Sequence, residues 1–248
     1  MPVNPDALEI DTQLNSHNCT MTTSAIMRRI TLQTRSMPIG SAILFFISLI
    51  TDFSGPAWAQ ERHSVTWAKD LVNAAIERTH HHVQYDGSYR VLPYPMGDVP
   101  DDRGVCTDVV IRAYRTLKID LQQLVHEDML DHFSAYPQHW GLHKPDPNID
   151  HRRVPNLQTF FTRRGTVLPV TSVGADYQAG DLVTWRIPPH LPHIGLVTDS
   201  LVPRTDRPMI VHNIGAGPTL EDMLFNYPIT GHYRYEHKHP IPPTSPNH

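Results

Sequence analysis

What this sequence has least of is cysteine. Only Cys19 and Cys106 occur among 248 residues, and Cys19 lies ahead of a stretch that reads as an export leader. With that leader removed, one thiol remains. The count excludes an intramolecular disulfide and a four-cysteine zinc site. Cys106 is then either a small buried residue or a nucleophile, because an unpaired thiol in an oxidising compartment is a liability unless it is buried or used. An excess of positive charge is also missing: Lys and Arg number 21 against 25 Asp and Glu, a formal net charge of -4. A nucleic-acid-binding face calls for the opposite balance, so nucleic acid is excluded as a partner. Long apolar runs are lacking too. The run from Ile39 to Ile50, IGSAILFFISLI, is shorter than the ~20 residues of a membrane-spanning helix.

The neighbours of that run give it meaning. Arg28, Arg29 and Arg35 precede it and GPAWAQ follows, the order of basic region, apolar core and small-x-small site found in secretory signal peptides. We expect cleavage between Ala59 and Gln60 and a periplasmic or secreted protein, with an uncleaved membrane anchor as the alternative. No cysteine stands at the cleavage site, which argues against a lipoprotein. Residues ahead of the basic region fit no signal, so Met21, Met27 or Met37 is a candidate true start. The expected organisation is a leader over 1–59, one domain over 60–236 that is long enough for a real core, and an unstructured proline-rich tail over 237–248.

Histidine is abundant, at 17 residues, and metal sites must be weighed. HEDMLDH has Leu130 where His-Glu-x-x-His needs its second histidine. DPNIDH starts like a calcium loop at Asp146, Asn148 and Asp150, but His151 replaces the required glycine and Leu157 the bidentate glutamate. His80, His81 and His82 lack the spacing of a dedicated site. We therefore expect no metal and no cofactor.

Apolar spacing of three and four over His63–Arg78 predicts an amphipathic helix. YDGSYRVLPYPMGDVPDDRG reads as loop. Val105, Val109, Val110, Ala113, Tyr114 and Leu117 restore helical spacing, and Cys106 falls in the first turn. DLQQLVHEDMLDHFSAY and VPNLQTFFTRRG predict two further helices, the second ended by Gly165. A polar connector separates them. GDLVTWRI, PHIGLVTDS, PMIVHNIG and ITGHYRYE then read as short strands. Helices followed by antiparallel strands make an α+β order.

That order gives Cys106 a chemical setting. Free N–H groups and the positive dipole end at a helix start favour thiolate and can hold a developing oxyanion. A base must then come from the sheet. His193 opens one strand after a turn; His212 in the next strand could orient it, and Asn213 is the alternative third residue. Asp108 and Arg112, four apart on the helix, read as a solvated pair. Arg152 and Arg153 read as structural ion-pair partners, with a grip on a substrate carboxylate as the minority reading.

In order, YPMGDVPDDRGVCTDVVIRAYR, GDLVTW, HIGLV and IVHNIG resemble the blocks of NlpC-type cell-wall peptidases. From Tyr94 to Tyr235 the chain more closely resembles the YijF-type bacterial family catalogued as domain of unknown function 1287, to which VHEDM, WGL, NIDHRRVPNL and ITGHYRY also belong. The peptidase resemblance implies a papain-like fold, with N-terminal helices on a small antiparallel sheet or half-barrel. It also implies Cys106 as nucleophile, His193 as base and His212 as third polar residue. Tyr94 matches a tyrosine that lines the cleft, and Tyr94, Asp98 and Arg152 are the substrate-contact candidates. GVCTD in place of Asp-Cys-Ser marks a departure around the thiol.

The function expected is amide-bond hydrolysis in an envelope substrate, with the stem peptide of peptidoglycan as the partner. Two other classes fit the same residues: an acyltransferase or lipid-directed ester hydrolase, and a non-catalytic envelope binding module.

Overall fold

A computed structural model describes residues 57–237, with side chains from Thr66 onward; the expected leader, its candidate starts and most of the expected tail lie outside the described residues. The first helix, α1 (Ala57–Glu77), starts ahead of the predicted His63 because AWAQER continues it with good helix formers. The expected Ala59–Gln60 scissile bond therefore sits in its first turn. No described helix is long and apolar enough to cross a membrane.

Where a continuous loop is expected, two-residue strands β1 (Gln84–Tyr85) and β2 (Arg103–Gly104) pair in parallel, with Tyr85 opposite Gly104. So short a ladder leaves no periodicity to read. It delivers the chain directly into α2 (Cys106–Thr116), which is followed by α3 (Leu121–His132) and α4 (Val154–Arg164). Asp120 caps α3 by accepting from the N–H groups of Gln122 and Gln123. Gly165 ends α4, its N–H donating to Phe161 O.

The remaining strands are β3 (Thr166–Val167), β4 (Leu182–Ile187), β5 (Leu191–Leu201), β6 (Pro208–His212), β7 (Thr219–Glu221) and β8 (Ile229–Arg234). They form one antiparallel sheet in the order β3-β8-β4-β5-β6-β7. Both faces are covered. Leu182, Ile194, Leu196, Val211 and Tyr233 pack with Leu71, Val110, Tyr114, Leu157 and Phe161 of the helices. Their strand neighbours Val183, Trp185, Val197 and Ile210 join Tyr177, Met223 and Leu224 on the opposite face. Covering both faces explains why GDLVTW and HIGLV read as runs rather than alternations. Each fully buried large side chain contributes roughly 1.5–3 kcal/mol, so these two layers hold the sheet between them. The α+β class expected from the sequence is thereby found.

β5 and β6 approach closely where the candidate histidines lie. A Cβ on Gly195 would come 2.7 Å from Ile210 Cγ2 and 3.1 Å from His212 Cβ. Glycine at that place in HIGLV is thus a packing requirement.

Candidate functional site

Cys106 is the first residue of α2, and its side chain is buried, 4% exposed. The backbone N–H groups of Ile194, Thr107 and Cys106 itself lie near its sulfur. Ile194 follows His193 in β5, and the registered β5–β6 pairs begin two residues later, at Leu196 opposite Val211. The thiol thus reaches β5 just beyond the end of its ladder with β6. The start of α2 is fixed from below. Val105 has no side-chain acceptor, and Asp108 Oδ2 accepts the Val105 N–H at 2.6 Å. The Thr107 hydroxyl donates to Arg152 O at 3.1 Å.

The structure brings His193 and His212 together: His193 Nε2 lies 3.1 Å from His212 Nδ1, with perpendicular rings. Both are buried. This contact leaves Nδ1 as the unengaged ring nitrogen of His193. Asn213 takes no part in it, since its Oδ1 accepts the N–H groups of Gly215 (3.0 Å) and Gly217 (3.2 Å) and holds the turn after β6. Trp185, opposite His193 in register, packs its ring against the imidazole at 5.9 Å.

The electrostatics correct the expectation of a low-pKa thiolate. Burial pushes the Cys106 thiol up to about 11, which the three N–H groups only partly oppose and to which Asp108 adds. Burial, and then His212, pull His193 down to about 3. His212 is likewise lowered by burial, while Glu221 works against that shift. At neutral pH the thiol and both imidazoles rest uncharged.

The three substrate-contact candidates are placed elsewhere. Tyr94 sits edge-on to His126, with ring centroids 5.2 Å apart, and no contact joins it to the thiol. Asp98 is held by Arg112 Nε at 3.0 Å and Arg115 Nη1 at 2.6 Å, which ties its loop to α2. Arg152 is buried and grips Asp108 with two bonds of 2.9 Å; its remaining donors go to the Asp86 and Ser88 carbonyls. The solvated Asp108–Arg112 pair is also corrected: both side chains are buried, each with a different partner. Arg152 is thus the structural ion-pair partner that the sequence favours, and loop 86–104, folding against α2, gives Asp108 and Arg112 partners far away in the chain in place of solvent.

The profile described as "Domain of unknown function (DUF1287)" matches residues 72–235. The chain belongs to the DUF1287 family. It is 57% identical over 151 residues to the "Uncharacterized protein YijF" of Escherichia coli (strain K12), a match covering 61% of this chain and 73% of that protein. No solved structure matches.

Several sequence blocks of the DUF1287 resemblance prove to be scaffold. In GDLV, Asp181 is fully buried and accepts from Arg234 Nε (2.7 Å) and Nη2 (3.0 Å), with His232 Nε2 at 2.9 Å, joining β4 to β8. In VHEDM, Asp128 meets Arg163 and Arg164 of α4 at 2.7 Å each. The calcium-like DPNID segment bonds to itself: Asp146 Oδ1 and Asp150 Oδ2 accept local N–H groups. No group of three metal-ligating side chains occurs among the described residues.

Sequence reasoning missed two site residues. Tyr85, rather than Tyr94, lies at the thiol: burial and then the Cys106 sulfur push its hydroxyl up to about 12. The parallel β1–β2 pairing puts it there, and no motif signals it. Glu221 approaches His212 Nε2 at 3.7 Å from β7. A cavity of about 790 Å³ lies nearby, lined by Arg163, Arg186, His139 and His190 and by Trp185, but by none of Cys106, Tyr85 or His212. We place the chemistry at the thiol, because a reaction needs convergent reactive groups more than it needs volume.

Proposed function

We propose that this DUF1287 chain is an exported, periplasmic or secreted cysteine hydrolase with a papain-like, NlpC-type arrangement, cleaving an amide bond in the peptide part of the bacterial cell wall. The observation that carries the reading is that Cys106 begins a helix and has at its sulfur the N–H of Ile194, the residue after His193 in β5, while His193 pairs with His212. A buried, protonated thiol working with a neutral imidazole suits general-base attack rather than a standing thiolate.

In this mechanism His193 Nδ1 takes the Cys106 proton as the sulfur bonds to the carbonyl carbon. The carbonyl π pair moves to oxygen, where helix-start N–H groups and the Tyr85 hydroxyl stabilise it. As the oxyanion collapses, the C–N bond breaks and His193 returns its proton to the leaving amine. Water then attacks the thioester, giving a proton to His193; the C–S bond breaks, the acid leaves, and the thiol is restored. Burial of Cys106 requires the exposed Tyr85 side chain to move aside for substrate. The Arg186 guanidinium in the lining of that cavity favours a peptide that carries a carboxylate.

Incubating the full chain with purified muropeptides, and with an acyl-lipid mixture alongside, tests this by product analysis. Release of a free amine from muropeptide, lost in Cys106→Ala and His193→Ala, is the expected result. Acyl transfer or ester cleavage from the lipid alone would reassign the substrate. The burial of Cys106 supports a second reading, a non-catalytic envelope binding module. Muropeptide binding that is unchanged in Cys106→Ala, without products, would favour it.

A further inference from the structure

We propose that Glu221 is a positioning residue that sets the tautomer of His212, and through it the base form of His193, making a relay of Cys106, His193, His212 and Glu221. Its geometry stands alone; its catalytic consequence rests on the hydrolase reading. His212 Nε2 is buried with no hydrogen-bond partner, although its ring is fixed at the other nitrogen by His193. A buried polar atom of this kind calls for an explanation. The acceptor facing it is Glu221 Oε2, at 3.7 Å.

The carboxylate is aimed rather than loose. Thr219 is the register partner of His212, and Glu221 lies two residues along the same strand. The Thr219 hydroxyl donates to Glu221 Oε1 at 2.8 Å, which leaves Oε2 for the imidazole. The ionisable groups facing His212 are His193 from β5 and Glu221 from β7.

Tautomer logic follows from the inventory of ring nitrogens. A carboxylate beside Nε2 selects the Nε2–H form of His212. Its Nδ1 is then an acceptor, so His193 must donate through Nε2–H. His193 Nδ1 is thereby left with the lone pair that takes the thiol proton. In the opposite tautomer His212 donates through Nδ1–H, His193 must accept at Nε2, and its own Nδ1 carries the proton. That form cannot act as the base. The thiol therefore depends on a carboxylate that it never touches.

Two-bond ¹⁵N–¹H spectra of the full chain at neutral pH read the tautomer directly, whether or not the protein is an enzyme. The wild type should show His212 as Nε2–H. Glu221→Gln, whose amide carbonyl still accepts, should keep that form; Glu221→Ala should give a mixture containing Nδ1–H; Thr219→Val, which leaves the charge but frees it, should fall between. With a muropeptide substrate, kcat should fall about tenfold in Glu221→Ala with KM unchanged and recover in Glu221→Gln. That loss is smaller than the ~10⁴-fold cost of a wrong tautomer in a buried triad, because this carboxylate is half exposed. An unchanged tautomer in Glu221→Ala overturns the inference, as does an identical loss in the Gln and Ala variants. Tautomer changes without turnover in any protein, wild type included, sink the hydrolase reading and leave the role of Glu221 standing.

Discussion

Replacing Arg152 by alanine separates a residue that holds the site from one that grips substrate. The Arg152 and Asp108 side chains are 2% and 3% exposed and joined by two bonds of 2.9 Å. Removing one partner of such a pair strands a buried charge, which costs about 3–5 kcal/mol. Against a typical stability of roughly 5–15 kcal/mol, that is a fifth or more of the fold's stability. An exposed pair such as Arg103–Asp102, at 3.9 Å, is the control: Asp102→Ala should cost about 0–1 kcal/mol. The damage should also reach the thiol, since Asp108 Oδ2 holds the Val105 N–H beside Cys106. Urea unfolding of the full chain, followed by tryptophan fluorescence, measures the loss. Asp108→Asn combined with Arg152→Met should cost less than the sum of the single changes, because the double variant buries no unpaired charge. A loss below about 1 kcal/mol in Arg152→Ala, with weakened muropeptide binding, would refute the structural assignment and return Arg152 to the substrate.

Burial holds His193 and His151 down at about 3 and lowers His212 as well, whereas unfolded histidine titrates near ~6.5. Between those values the unfolded chain binds protons that the folded chain does not, so stability rises with pH and falls on acidification, by up to about 1.4 kcal/mol per pH unit for each such histidine. The thermal midpoint should drop clearly from pH 7 to pH 5; a flat profile would show these histidines are not buried neutral. With its pKa near 11, only about 10⁻⁴ of Cys106 is thiolate at pH 7, so iodoacetamide should label the wild type slowly and Tyr85→Ala at least about tenfold faster. Wild-type labelling at the rate of free cysteine would contradict the buried thiol and its tyrosine cover. Gly195→Ala should push β6 and His212 away from β5 and destabilise the protein by about 1–3 kcal/mol, as overpacking does; an unperturbed His193–His212 NMR contact would count against that close approach.

Much of this protein follows from local chemistry. Spacing of three and four marks α1 and α2, Gly165 ends α4, and β-rich runs between Gly and Pro mark β4, β5, β6 and β8, because each signal is confined to one element. The same locality placed Cys106 at a helix start and His193 and His212 on successive strands. Glycine in HIGLV and aspartate in GDLV were visible as letters, but their roles depend on what crosses from another strand.

Only the tertiary structure decided which side chains face one another. The two-residue parallel ladder of β1 and β2 brings Tyr85 to the thiol while Tyr94 goes to His126, a choice that no periodicity encodes. Asp108 and Arg112 look like a solvated pair along the chain; their partners Arg152 and Asp98 lie 44 and 14 positions away, so burial turns them into clamps. The sign of the thiol's pKa shift was settled in the same way. Sequence placed Cys106 where helix N–H groups favour thiolate, and close packing removed the water that would have let them prevail.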